Sequence, residues 1–454
     1  MLMKHVIKTM LLLVVPVGIV VSVVGCGRQA VQLDSKWTPP AAVSSSWDGL
    51  SGWARLHRCQ DTIIGARSSP AFLLLNRDQK TWSELPSLGD PGPYIWGYAS
   101  ADPQSMKILV ARGYADTNEQ LVMKILMGTV TENVGLRNVT EKQWITDKVT
   151  LLGETSPNVK LNYFGEGRAD VGLGPGILNG SEACIPFSLD AAEVIQEGKS
   201  VTIKGNGPFA DGVFHSSDFG KTWQVEKISN LSFVAPDMCK TKGHVYYFAD
   251  QILTALCFSR KPAAGGKWEQ PKPITKAFSG RFAVAGEDDT AHICWMDRRH
   301  DKWRFHFDEP APENNEIYYR RRRDGDRDWS KEICLSKGLL YAYAPTISAE
   351  GDNVVVVWAG IRDAGKWHTD MDPNDIYFVT SKDGGKTWTD PMKVTDGAKD
   401  GFTAGMPQVA LLNGAIHLLY TQGKSKKPEE LSPGLTRFTK RPWSIYYTQR
   451  QFPD

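Results

Sequence analysis

The chain has 454 residues, 41% of them hydrophobic, with 15 Trp and a formal charge of +2. This composition supports a large packed core and excludes a protein that is disordered over long stretches. Both surplus charges sit at the start of the chain, because loss of Lys4 and Lys8 brings the remainder to zero. A neutral body excludes nucleic acid as an expected partner.

The first element in chain order is a leader: Lys4 and Lys8, an apolar run from Met10 to Val24, then Val23-Val24-Gly25-Cys26. A basic start, a short apolar run and small residues before a Cys read as a secretory signal, and the run is short for a membrane span. Its end is similar to a bacterial lipobox. That likeness implies that residues 1–25 are a lipoprotein signal peptide and that Cys26 is lipidated. The implied location is a bacterial membrane, facing periplasm or cell surface, with membrane contact through the lipid anchor alone. Six further cysteines follow, Cys59, Cys184, Cys239, Cys257, Cys294 and Cys334. In an oxidising compartment an even number permits disulfides, with Cys239–Cys257 the most local pair. Residues 26–46 read as the lipidated Cys, a tether and a closing strand near Trp37; residues 47–454 read as a single domain.

Within that domain one eight-residue phrase occurs twice, Ser216-Ser217-Asp218-Phe219-Gly220-Lys221-Thr222-Trp223 and Ser381-Lys382-Asp383-Gly384-Gly385-Lys386-Thr387-Trp388. Both read S-x-D-x-G-K-T-W between β-rich runs, and so predict hairpin turns. The Ser and Asp can bond turn amides, the Gly can take positive φ, and the Trp can pack under the next strand. Weaker copies end at Trp82, Trp268 and Trp329, and Trp144 has a strand on each side. Helical periodicity is absent, and alternating runs such as Val354 to Trp358 and Ile317 to Tyr319 predict strands. The repeated Trp therefore marks four-stranded blades near 48–88, 92–155, 160–230, 232–277, 279–336 and 343–395. A remainder at 402–450 supplies three strands, and the segment at Trp37 supplies a fourth. The expected fold is an all-β propeller closed by pairing its N- and C-terminal strands.

The repeated phrase resembles the Asp-box, or BNR, repeat of sialidase-like β-propellers. The segment Gly172 to Gly180 with Pro186 is similar to a G-P-G-x-G-I…G…P stretch of that superfamily, and Pro407 to Tyr420 resembles its Leu-rich ending. The blade count is seven, with six the alternative because sialidase-like enzymes usually have six. The resemblance implies structural roles for Ser216, Asp218, Gly220, Trp223, Ser381, Asp383, Gly385 and Trp388. It also implies a Tyr nucleophile, an assisting Glu, an Asp acid/base and three Arg for a substrate carboxylate. Here the chain departs from the family. The nucleophile position falls at Met406, the Glu position falls within Phe233 to Asp237 where no Glu stands, an expected Arg falls on Asp250, and the opening R-I-P is matched only by Arg55-Leu56. A thioether cannot replace a phenolate nucleophile.

The Asp boxes lie in C–D turns, so a binding site is expected on the opposite rim. The ends of strand B there carry Arg67, Arg112, Arg299 and Arg362, and Lys424 follows in the last blade. Guanidinium forks on one rim suit a carboxylated ligand; the alternative is that these Arg pair with acids within the repeat. Adjacent loops carry Trp303, Trp367 and His368, which would suit a glycan. Asp297, Asp363, Asp370 and Asp372 form the pool of acid and base candidates for a glycoside hydrolase. His300, His306, His368 and Asp370 lack the helical i,i+4 spacing of a metal site, so no metal and no cofactor are expected. Three readings stay open: an anchored propeller that recognises a glycan or other anionic ligand, a glycoside hydrolase using other carboxylates, and an envelope interaction platform.

Overall fold

A computed structural model describes residues 33–47, 55–60, 62–66, 72–76, 81–85, 94–115, 121–131, 135–146, 170–190, 193–197, 200–204, 210–229, 234–251, 255–276, 278–299, 315–339, 341–361, 375–397, 402–424 and 443–453. Among these residues the backbone forms seven antiparallel blades of four strands, the third with its strand A in two pieces, and one separate hairpin. Six of the sheets meander, so their strands A to D follow chain order from the inside outward; the seventh takes its strand D from the N-terminus.

Blade one comprises Arg55–Cys59, Thr62–Ala66, Phe72–Leu75 and Trp82–Leu85, and blade two Tyr94–Ala101, Lys107–Ala115, Leu121–Thr131 and Gly135–Thr146. In blade three strand A is split into Asp170–Leu173 and Ile177–Asn179, followed by Glu182–Asp190, Ala210–Ser216 and Gln224–Ser229. A hairpin, Glu193–Glu197 with Ser200–Lys204, is inserted between its B and C strands. Blade four is Val234–Lys240, His244–Asp250, Leu256–Pro262 and Lys272–Thr275; blade five is Phe278–Glu287, Thr290–Asp297, Glu316–Arg323 and Ile333–Cys334. Blade six is Tyr341–Glu350, Asn353–Ile361, Asp375–Ser381 and Met392–Lys393. Blade seven takes Phe402–Leu412, Ala415–Lys424 and Trp443–Gln451 from the C-terminus and Ala41–Trp47 from the N-terminus. Strand A of each blade touches strand A of the next, and that of blade seven touches that of blade one. The fold is a closed seven-bladed β-propeller, and the first blade is a full member of the ring.

The closing strand begins later than the sequence suggests. Trp37 itself is not in the sheet; pairing starts at Ala41↔Tyr447, because Pro39 and Pro40 have no N–H to give to a ladder. Trp37 has a different task. Its ring meets Phe378 of blade six edge-on, centroids 5.3 Å apart and planes at 87°. The same contact recurs around the ring. Trp329 of blade five meets Phe258 of blade four at 5.4 Å, Trp388 of blade six meets Tyr319 of blade five at 4.7 Å, and Trp82 of blade one meets Tyr447 of blade seven at 5.3 Å. In every case the Trp lies at or just before strand D, and its partner pairs with the first residue of strand D in the preceding blade. These Trp thus pack between blades, in clusters drawn from their own blade and the one before it. Edge-to-face geometry adds roughly 0.5–1.5 kcal/mol to the area each pair buries.

The two repeated turns have matching hydrogen bonds. Ser216 Oγ accepts from the Gly220 amide at 2.8 Å, and Asp218 accepts from the Thr222 amide at 2.9 Å and hydroxyl at 2.6 Å. Ser381 and Asp383 do the same for Gly385 and Thr387. The Thr222 hydroxyl and amide hold the Asp218 carboxyl down to about 2. Gly385 sits at φ +82°, and a Cβ there would lie 1.9 Å from the Tyr319 hydroxyl. No disulfide forms among the described residues, and five of the six described cysteines are buried, Cys334 being half-buried.

Trp37→Ala should therefore destabilise the propeller about as much as Trp388→Ala, each by about 2–3 kcal/mol, less than for fully buried Trp because both rings are half-buried. Urea midpoints of the two variants check this. An unchanged midpoint for Trp37→Ala would show that the N-terminal segment does not hold the ring.

Candidate ligand site in the central channel

A cavity of about 690 Å³ follows the ring axis, with wall residues from all seven blades, among them Leu56, Ala101, Ile177, Pro236, Phe282, Pro345 and Val409. Its shape derives from a repeated irregularity in strand A. In blades four, six and seven two residues oppose one across the A–B ladder: Ala235-Pro236 against Ala249, Ala344-Pro345 against Trp358, and Met406-Pro407 against Tyr420. Proline has no N–H for the ladder, so a bulge is where a strand tolerates it. Ala344 and Met406 take positive φ, 51° and 48°, to make the bend.

Blade five has a bulge at the same level, between Phe278↔Asp297 and Phe282↔Trp295, but the residue in the proline slot is Arg281. Its side chain is half-buried and lines the cavity, and Nη1 meets Met406 Sδ at 3.5 Å. Arg281 lies in the first half of its strand, toward the end of the channel served by B–C and D–A loops. Asp237 lines the same cavity, buried, its carboxylate accepting from the Met238 amide at 2.8 Å. Blade three meets this wall backbone to backbone. A Cβ on Gly174 would stand 1.7 Å from the Pro236 carbonyl oxygen, which explains the glycine in the Gly172 to Gly180 segment.

The other mouth, on the A–B turn face, is spanned by charge. Arg58 of blade one reaches Glu287 of blade five at 3.2 Å and Glu350 of blade six at 3.5 Å. Glu350 in turn accepts from the amides of Asn413 and Gly414 in the A–B turn of blade seven, at 3.0 and 2.9 Å. One guanidinium thus links four blades across the axis.

The rim residues expected from the sequence fall into two groups. Arg67, Arg362, Trp303, Trp367, His368, Asp363, Asp370 and Asp372 lie outside the described residues, as do Cys26 and the leader; Arg112 pairs in strand B of blade two with Gly97 and Lys124. Arg299 and Asp297 are described, and they are joined to each other. Asp297 is buried, takes Arg299 Nε at 2.8 Å and Nη2 at 2.6 Å, and accepts from Trp295 Nε1 at 2.9 Å. Arg299 also bonds Glu332 and lies 4.1 Å over the Tyr318 ring. This pair serves blade five: the guanidinium is engaged on both edges and one face. Arg281 is the residue that sequence reading missed. Its signal was the exchange of Arg for the proline that follows the small residue in neighbouring A strands, visible only after the blades are aligned.

No family model matches the chain, and no curated protein matches it. Among solved structures it is similar to YCF48 bound to D1 peptide, at 10% identity and TM-score 0.46 over 93% of this chain and 98% of that one. It is likewise similar to the phage phi92 endosialidase, at 8% identity and TM-score 0.46 over 92% and 70%. A Trypanosoma rangeli sialidase in complex with 2,3-difluorosialic acid aligns at 9% identity and TM-score 0.45 over 92% and 59%. The propeller assignment rests on the strand pairing, and these likenesses add no residue correspondence to it.

Arg299→Ala should lower stability by about 2–4 kcal/mol, because Asp297 would remain buried without its cation, discounted for the partial exposure of Arg299. The same variant should leave anion binding unchanged. Thermal melts and a binding titration on one preparation separate the two outcomes; weaker binding at undiminished stability would return Arg299 to the ligand.

Proposed function

We propose that this protein is an exported, lipid-anchored propeller of the sialidase-like class that binds an anionic ligand in its channel, a carboxylated glycan being the main class. One observation carries the reading: Arg281, a fixed cation, stands in the channel wall at a register where blades four, six and seven have proline. A guanidinium offers two parallel donors to a carboxylate, and a partly enclosed channel strengthens that pairing relative to open water. The two S-x-D-x-G-K-T-W turns support membership of the Asp-box group, and the departures at Met406 and Asp250 argue against the usual sialidase chemistry. The titration panel should contain a sialoside, a uronic acid and a neutral sugar of similar size. Arg281→Ala should weaken the acidic ligand at least 10-fold while leaving the neutral one unchanged, and Arg281→Lys should restore part of the loss. An acidic ligand whose affinity ignores Arg281 would remove the proposal.

A second reading, a glycoside hydrolase, is favoured by Asp237, a buried carboxylate in the wall of the same cavity. Release of chromophore from a glycoside panel, abolished by Asp237→Asn, would support it over simple binding.

The export reading rests on the leader. Cys26→Ser should leave an unprocessed or soluble form, read by intact mass and detergent partitioning; an unchanged mass would defeat it.

A further inference from the structure

The contact between blades three and four departs from the pattern shared by the contacts of Trp37, Trp82, Trp329 and Trp388. The residue opposite the first position of strand D is Phe258 in blade four, Tyr319 in blade five, Phe378 in blade six and Tyr447 in blade seven. In blade three it is His215, opposite Gln224. The Trp that enters from blade four changes accordingly: Trp268 Nε1 donates to Glu226 at 2.9 Å, whereas the buried indole N–H groups of Trp37, Trp82, Trp329 and Trp388 meet no acceptor among the described residues. A polar group in an interior slot that elsewhere holds an apolar ring costs stability unless it has partners.

The partners are ordered in two tiers. His215 Nδ1 lies 3.1 Å from Glu226 Oε1, while the other oxygen of Glu226 is held by Lys261 at 2.5 Å and by Trp268. Glu226 thus stands on the Nδ1 edge of the ring, and Nε2 lies on the opposite edge. Nε2 is buried and has no hydrogen-bond partner among the described residues. It faces Glu182 Oε1 at 3.7 Å, and the second oxygen of Glu182 is held by Lys240. Cys184 pairs with His215 across the B–C ladder, and one donor atom each from Glu182, Cys184 and His215 falls within 4.8 Å of the others.

We infer that Glu182, Cys184 and His215 form a divalent metal site, with zinc as the fitting ion and Glu226 as the carboxylate that orients the histidine. An oxygen, a thiolate sulfur and an imidazole nitrogen are ligands zinc accepts, at about 2.0–2.3 Å, in a tetrahedron whose edge is roughly 3.5 Å. The separation of Nε2 and Oε1 is close to that edge. A histidine ligand backed through its other nitrogen by a carboxylate is the usual outer arrangement. Each Glu gives one oxygen to a Lys and one to the site, so the four charged side chains sum to zero. Binding Zn²⁺ displaces the Cys184 thiol proton to solvent, which leaves a net charge of +1. His215 and Glu182 are partly exposed, so water can reach the fourth position. The site lies outside the channel cavity; of its surroundings only Lys240 also lines that cavity.

The test uses the full chain in detergent, stripped with chelator and titrated with Zn²⁺ and with Co²⁺. The expected result is one equivalent of metal per chain, a raised melting temperature with Zn²⁺, and a sulfur-to-Co²⁺ charge-transfer band. Cys184→Ala, which keeps a small buried side chain, should abolish the band and the rise in melting temperature while retaining the far-UV spectrum. Glu226→Gln should weaken binding about 10–100-fold with the band retained. Arg281→Ala should bind metal as the unaltered chain does. No metal retained after dialysis, or binding with an unaltered band in Cys184→Ala, would overturn the inference. Should Cys184→Ala fail to fold, His215→Gln decides by the same criteria.

Discussion

The edge-on Trp contact between neighbouring blades is the interaction on which the rest of the molecule depends. A propeller blade cannot bury both faces alone, so each sheet is stable only against its neighbours. Trp82, Trp329 and Trp388 set the spacing by standing at strand D of one blade and touching strand C of the blade before it. Blade seven has no such Trp in its own C-terminal stretch. The N-terminal segment supplies Trp37 first and the strand Ala41–Trp47 next, so packing and hydrogen bonding close the ring together. Asp34 strengthens this latch through its ion pair with Arg450, which also lies over Phe378.

Closure determines what the channel can be. Seven A strands converge on one axis, and their bulges decide which side chains enter it. Proline at three of these bulges removes a backbone N–H from the wall, and Arg281 stands at the same level as a cation. At the other end Arg58 binds acids of blades five and six, one of which caps a turn of blade seven. The channel is thus asymmetric: one mouth is bridged by an internal ion-pair network, and the other carries the guanidinium.

The interface between blades three and four departs from the common pattern in a connected way. His215 replaces an aromatic ring, Trp268 turns its N–H to Glu226, and two lysines divide two carboxylates with the imidazole. A single polar substitution would have left orphaned groups. A set of matched ones gives instead a site built on rigid strands, independent of the ring axis.

Fold class, blade order, the C–D position of the repeated turns and the need for a terminal strand were all determined by the sequence, because the S-x-D-x-G-K-T-W phrase and its Trp are local signals that recur with the blade. The local reading placed the closing strand near Trp37 but could not give the ring of Trp37 its task, since sequence order does not say which neighbouring sheet a side chain will meet. The rim Arg could be counted, but only the tertiary structure decided that Arg299 is held by Asp297 and Glu332, as the second acid comes from the segment that leads into strand D of the blade. Arg281 carried no motif of its own. Its position became legible when the ring put strand A of blade five level with Pro236, Pro345 and Pro407. The same holds for Glu182, Cys184, His215 and Glu226, which are spread over three strands and meet because antiparallel pairing sets residues 31 positions apart, Cys184 and His215, opposite each other. Periodic local chemistry is written along the chain, whereas sites made by register exist only after the strands have paired.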